Sequence, residues 1–198
     1  MAPSKKKTLA GLATGERVYL RHPERGDAEE FLSLVRASRK YHRPWVYPPT
    51  TKDGFRRYVE RRDSDRYFPC FLFLRETDAL VGVANLSEIV RGVFLSAYVG
   101  FYGHADYAGQ GLVREGVGLL VRHAFRTLKL HRLEANVQPA NRGSLALVRA
   151  LGFRKEGLSR RYLKIGGRWR DHERWALLAE DSDSPTRRKQ PPASGRRS

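Results

Sequence analysis

Two stretches of this chain hold residue types whose spacing could bind and process a ligand. The first is the turn at 108–113, Ala-Gly-Gln-Gly-Leu-Val. Gly109 and Gly111 permit positive φ and let a ligand approach the backbone closely. The helix expected after them presents unpaired N–H groups and the positive end of its dipole, which together hold phosphate oxygens. The second stretch, 140–153, opens a helix with Asn141-x-x-Ser144 and closes it on Leu151-Gly152-Phe153. A Gly-x-Gly turn before a helix also serves as plain punctuation, so the first stretch alone does not name its ligand. It lacks the Gly-Lys-Ser/Thr ending of a nucleotide P-loop. A dinucleotide fingerprint would need Gly116 as third glycine and Glu134 as ribose acid, at spacings that fit poorly.

Other chemistries are narrowed by composition. The single cysteine, Cys70, lies in the apolar run Phe-Pro-Cys-Phe-Leu-Phe-Leu, which excludes a disulfide framework and suits a reducing compartment. No His is placed beside it to make a nucleophile, so buried packing is its expected role. No His, Cys and carboxylate spacing reads as a metal site. No apolar run approaches the roughly 20 residues of a membrane span. Net charge is +17, and +10 of it stays on residues 15–181 after the basic ends are set aside. A body that basic steers toward acidic proteins, ribosomal surfaces or RNA, although a solvated surface with no dedicated partner has the same composition.

The elements that must hold the two stretches can be read from periodicity. Residues 16–22 alternate apolar and polar positions and predict a strand. A helix follows, with Asp27 as its N-cap. The run at 41–49 is rich in Pro and aromatics and predicts a loop, and 52–62 predicts a short helix. Strands at 67–75 and 80–90 are joined by a turn at 76–79, and a third covers 93–103. The glycine turn then leads into a helix to about 128, with Leu112, Leu119, Leu120, Ala124 and Leu128 near one face. A strand at 132–138, a helix at 141–151 and a strand pair at 153–165 and 168–179 complete a mixed α/β order. Residues 1–14 and 182–198 read as disordered basic tails around one domain at 15–181.

From about 17 to 181, the chain resembles the GNAT-fold acyltransferases of the RimJ/RimL protein N-acetyltransferase type, nearest the RimJ branch. The family's Gln/Arg-x-x-Gly-x-Gly/Ala loop aligns with 108–113, and its Asn-x-x-Ser helix and Gly-Phe closure with Asn141, Ser144, Gly152 and Phe153. The segments 82–92 (Gly-Val-Ala-Asn-Leu-Ser-Glu-Ile-Val-Arg-Gly) and 156–172, ending Trp-Arg-Asp-His, match the subclass as well. The resemblance implies a single GNAT domain of α/β (α+β) class. Its central sheet would be mixed and mostly antiparallel, flanked by helices and splayed at an acetyl-CoA site, with no metal. Phe101, Tyr102 and Gly103 would meet the pantetheine arm. Ala108, Gly109, Gln110, Gly111, Leu112 and Val113 would hold the pyrophosphate, with Asn141 and Ser144 beyond them. Two departures stand out: Ala108 replaces the usual Gln or Arg, and Val113 the usual Gly or Ala.

The same resemblance implies direct transfer of acetyl to an amine, most naturally the N-terminal α-amine of a ribosomal protein, in the cytoplasm. Many members carry a Tyr as proton donor where this chain has Val148; Ser144 is the substitute the subclass suggests. Glu88, Glu134 and Tyr162 are the other catalytic candidates. Trp45, Tyr47, Asn85 and Arg91 are candidates for receiving the acceptor. His172 beside Asp171 would orient substrate or make a structural hydrogen bond, and His104 would belong to the loop scaffold. A small-molecule amine acceptor, or a catalytically weak ribosome- or RNA-binding module, are the competing readings.

Overall fold

The computed structural model describes residues 11–182, so the expected tails lie largely outside the described residues. One eight-stranded sheet organises the domain. Its strands are β1 (Ala13–Thr14), β2 (Val18–Arg21), β3 (Tyr67–Leu74), β4 (Leu80–Val90), β5 (Ser96–Gly103), β6 (Arg132–Val137), β7 (Arg154–Ile165) and β8 (Arg168–Leu178). Their order is β1-β2-β3-β4-β5-β6-β8-β7, antiparallel throughout except for the parallel β5–β6 pair. The N-terminal tail was expected to run to residue 14. Instead Leu12 and Ala13 pack on the core and Ala13–Thr14 pair with Tyr19 and Leu20, so ordered chain begins earlier.

Helices cover both faces of the sheet. On one side are α1 (Ala28–Ala37), α2 (Arg39–His42) and α3 (Lys52–Glu60). On the other are α4 (Leu112–Arg126) and α5 (Arg142–Ala150), and α6 (Ala179–Ser182) follows β8. The first face is aromatic: Phe31 stacks on Phe71 at 5.5 Å between centroids, and Phe55 and Tyr58 complete the cluster. The second face is aliphatic, with Leu120, Leu133, Leu72 and Val81 fully buried. Each such side chain contributes about 1.5–3 kcal/mol through burial. Strand alternation feeds both layers. In β5, Ala97 and Val99 join the α4–α5 layer with Phe101 packed on it, while Tyr102 packs on the α1–α3 layer.

Gly116 decides how closely α4 can lie on the sheet. A Cβ there would come within 1.9 Å of Leu72 Cδ2, so this glycine answers to packing and not to a dinucleotide fingerprint. Asp27 also departs from expectation. Its side chain does not cap α1. It takes two bonds from Arg21 at 2.6 and 2.7 Å and the Glu24 N–H at 2.7 Å, closing the turn before the helix.

Candidate active site

The parallel register of β5 and β6 stops early. Ser96, Ala97 and Tyr98 pair with Arg132, Leu133 and Glu134, and nothing beyond them does, although both strands continue. The strands therefore splay, and past Tyr98 the β6-facing edge of β5 has no strand to bond. A cleft of about 820 Å³ fills the gap. It is walled by residues from both faces of the sheet, with Val99, Phe101 and Ser144 from the α4–α5 side and His42, Trp45 and His172 from the other.

The glycine turn forms one end of the cleft. Gly109 and Gly111 have φ of 77° and 78°, a left-handed backbone that side chains with a Cβ rarely adopt. Gly111 is the N-cap of α4 and offers no side chain, while Glu115 N–H is the first to bond back to it, at 3.0 Å. The N–H groups of Leu112, Val113 and Arg114 are left pointing out of the helix end. Arg114 stands beside Gly111, and Arg142, at the head of α5, lines the same cleft. Sequence reasoning missed both, and also Arg17, whose guanidinium donates to the Gln110 carbonyl at 3.0 Å and pairs with Glu115 at 3.2 Å. Arg17 thus ties the turn to the start of β2. Open space at Gly109, free helix-end N–H groups and the guanidinium groups of Arg17 and Arg114 beside Gly111 fit a pyrophosphate.

The two departures from the family loop have local explanations. A Cβ on Gly103 would lie 2.7 Å from Val113 Cγ2, and one on Gly82 3.4 Å from it. The extra bulk of Val113 is therefore accommodated by glycines in β4 and β5. Ala108 donates its N–H to the Ala105 carbonyl at 3.0 Å, which closes the short turn ahead of the glycines with no side chain needed. His104 Nδ1 accepts the Asp106 N–H at 3.1 Å, a scaffold role.

At the other helix, Asn141 is an N-cap: its Oδ1 accepts the Ser144 N–H at 3.1 Å. Its amide nitrogen stays available to the cleft. Ser144 lines the cleft one turn in, and Gly152 at φ 88° ends the helix so that Phe153 can bury. Val148 is fully packed in the core, so no group at that position reaches a ligand.

The structure divides the remaining candidates. Trp45, Asn85, Phe101, Tyr102, Gly103, Gln110 and Leu112 line the cleft with those already described. The Asn85 Oδ1 is engaged by the Tyr58 hydroxyl at 2.7 Å, and the Gly103 carbonyl by His42 Nε2 at 2.8 Å. Glu88, Glu134, Tyr162, Tyr47 and Arg91 are not among the lining residues. Glu88 is exposed and paired with Arg66. Glu134 accepts from Arg132 Nε at 2.8 Å, and the same guanidinium holds Glu156. Tyr162 meets the Tyr98 hydroxyl at 3.4 Å, a contact that with burial pushes the Tyr98 hydroxyl up to about 12. Arg91 donates to the Leu128 carbonyl at 2.6 Å, at the far end of α4. Tyr47 lays its ring against Gly166 in the β7–β8 turn, so it props the loop against the hairpin.

Three polar groups stand on the acceptor side, of which the sequence singled out His172 alone, as a residue that orients substrate or makes a structural hydrogen bond. His172, only 3 % exposed, donates from Nδ1 to the Arg170 carbonyl at 3.0 Å, and burial lowers its pKa from 6.5. Its Nε2 is then an unprotonated lone pair. His42, equally buried, has its pKa lowered by burial, and its Nδ1 has no hydrogen-bond partner among the described residues. Asn136 Oδ1, on the splayed part of β6, is likewise buried and without a partner among the described residues. Among the described residues, no Asp or Glu lines the cleft. Among the described residues no three His, Cys, Asp or Glu converge on a metal position, and no helix is long and apolar enough to cross a membrane.

A splayed mixed sheet with a phosphate-binding turn at the head of the helix that follows the splayed strand defines an acetyl-CoA-dependent transferase fold. The chain belongs to the acetyltransferase (GNAT) domain family, whose family model matches residues 17–154. It is an acetyl-CoA-dependent N-acetyltransferase of that family. Among curated relatives, the probable N-acetyltransferase YjcK of Bacillus subtilis is 36% identical over 85% of this chain and 98% of its own length. The ribosomal protein uS5-alanine N-acetyltransferase of Escherichia coli is 33% identical, over 85% and 91%. Among solved structures, Mycobacterium smegmatis RimJ in complex with CoA-disulfide superposes with TM-score 0.78, 27% identity and 84% coverage of each chain.

Proposed function

We propose that this enzyme acetylates the N-terminal α-amine of a protein, with a ribosomal protein as the natural acceptor, by direct transfer while both substrates are bound. The observation that carries this reading is the cleft itself. It opens to both faces of the splayed sheet, and among the described residues no carboxylate lines it. A polyamine would need acidic side chains to replace its water, whereas a peptide N-terminus needs hydrogen-bond partners and one proton acceptor. The uS5-alanine N-acetyltransferase relative supports the same acceptor class.

Acetyl-CoA supplies the thioester carbonyl that the amine attacks. The turn at 108–113, Arg17, Arg114 and Arg142 would hold its phosphates, and the Asn141 amide and the free edge of β5 its arm. The amine must be neutral to attack. An α-amine titrates near ~7.7–8 against ~10.4 for a lysine side chain, so a neutral imidazole suffices for the first and not the second. We assign this role to the His172 Nε2 lone pair. Glu88 and Glu134, each tied up by an arginine outside the cleft lining, are poorly disposed for it. As the new C–N bond forms and the C–S bond breaks, the amine proton leaves to His172, and the departing sulfur takes a proton from the Ser144 hydroxyl, which regains one from solvent as His172 releases its own there. A covalent enzyme intermediate has no nucleophile here, because Cys70 is fully buried and burial pushes its thiol up.

Initial rates measured over a grid of acetyl-CoA and a short peptide with a free N-terminus test this. Intersecting double-reciprocal lines, with spermidine a far poorer acceptor, are expected. Parallel lines would sink direct transfer, and a preference for spermidine would sink the peptide reading.

A further inference from the structure

Beside the cleft, on the α1–α2 side, lies a second pocket of about 310 Å³ that the transfer chemistry does not use. Arg36, Arg39 and Arg43 line it, together with Val35, Val46 and Tyr47. No Asp or Glu does. The three arginines form no ion pair with a described residue. Arg43 instead lies 5.2 Å from the Tyr47 ring centroid, and Arg36 is the least of the influences on Glu29, whose partner is Lys52. Three cations held in one concavity without a counter-charge repel each other, and an anion placed among them relieves that cost. Guanidinium groups are suited to carboxylate recognition because they donate in a planar fork.

The pocket's position says what carries the anion. His42 and Val46 line both the pocket and the active-site cleft, so the two are neighbours across one wall. His42 is also a buried side chain whose Nδ1 has no hydrogen-bond partner among the described residues. An acceptor whose N-terminus lies in the cleft would bring its next few side chains past this wall. The pocket volume suits one side chain and not a polynucleotide backbone. We propose that this pocket binds the carboxylate of an Asp or Glu within the first few residues of the acceptor. The enzyme then selects N-termini followed closely by an acidic residue. The inference rests on the peptide-acceptor reading above and names its sequence preference.

The test uses the full chain with acetyl-CoA and three peptides that differ only in Glu, Gln or Lys at one early position, moved from position 2 to position 5. At one of these positions, kcat/KM for Glu is expected to exceed Gln by about tenfold, as for one charge-assisted hydrogen bond. The difference should sit in KM. In a triple Arg36→Gln, Arg39→Gln, Arg43→Gln variant the Glu/Gln ratio is expected to fall to about one, while acetyl-CoA binding, measured in parallel, reports that the variant is folded. A ratio near one in the unaltered enzyme, or a ratio that survives the triple change, overturns the proposal.

A second measurement keeps this separate from the peptide reading. An N-blocked Glu-containing peptide, inorganic phosphate and a short single-stranded RNA are titrated into the acetyl-CoA-bound enzyme. If no peptide is acetylated, the peptide reading has failed. The pocket assignment is then judged on whether the blocked acidic peptide binds and loses binding in the triple variant. Phosphate binding as tightly as the peptide, or arginine-dependent binding of RNA in its place, overturns the assignment.

Discussion

The two halves of the cleft are built from different materials. On the α4–α5 side the working groups are backbone: a turn with two left-handed glycines, the free N–H groups of a helix end, and the unpaired edge of β5. On the α1–α3 side they are side chains, among them His42, Trp45, Asn85, Asn136 and His172, brought together from α2, the loop after it and three strands. Backbone cradles tolerate change in the side chains around them. Ala108 and Val113 depart from the family loop, and the turn retains its shape because the glycines set it. A wall of side chains is different, because each residue is its own determinant. The cofactor half is therefore expected to be robust and generic, and the acceptor half sensitive and specific.

Substitutions should separate the halves in that way. The largest effect is expected for His172→Gln, which removes the proton acceptor and should lower kcat by about 10²–10⁴-fold with unchanged affinity for acetyl-CoA. Because burial lowers the His172 pKa from 6.5, the neutral working form persists below that pH. The acid limb of kcat that it governs should lie below 6.5, with activity lost as pH falls through it. Unchanged turnover would take His172 out of the mechanism. Ser144→Ala should reduce kcat by about 10²-fold, at the lower end for a proton donor, again without weakening acetyl-CoA. If instead affinity fell and turnover did not, Ser144 would belong to the cradle.

Gly111→Ala tests the other half. A residue with a Cβ held at φ 78° pays about 1–2 kcal/mol, so acetyl-CoA should bind roughly tenfold more weakly. Turnover at saturating acetyl-CoA should hardly move. The mildest perturbation is pH alone. His22, His42, His123 and His172 are all held below the ordinary imidazole value of 6.5 by burial. The unfolded chain binds these protons at higher pH than the folded one. Their contribution to stability is thus complete above 6.5 and is lost progressively as pH falls below it. Denaturation midpoints at pH 7.5 and 5.5 should differ in that direction, and equal midpoints would contradict neutral buried histidines.

The same division governs what the sequence could say. Element order was legible from periodicity, since strands such as β6 and helices such as α4 bury a single face against the sheet. The glycine turn and the Asn141–Ser144 helix start were legible because each motif is local in the chain, and a local motif fixes its own geometry. Asp27 does stand at the N-cap position of α1, but its side chain does not cap the helix because Arg21 claims it, a tertiary pairing invisible to a helix pattern. The acceptor wall was the hardest. Nothing in the run Tyr41-His42-Arg43 tells that His42 turns inward to the Gly103 carbonyl while its neighbours stay exposed. Asn136 looked like an ordinary strand residue, and only the splay of β5 from β6 uncovers it. Trp45 and Tyr47 were read together as receiving the acceptor, yet one lines the cleft and the other braces the β7–β8 turn at Gly166. Alternating Trp-x-Tyr in a proline-rich loop gives no period from which the two fates could be told.

The most direct test of the account is mass spectrometry of ribosomal proteins with free N-termini, incubated with acetyl-CoA and this enzyme. The expected result is new acetyl groups on α-amines, confined to few proteins, and their disappearance with His172→Gln. Tight binding of acetyl-CoA with no α-amine acetylated, or acetyl groups found on lysine side chains in place of N-termini, would contradict it.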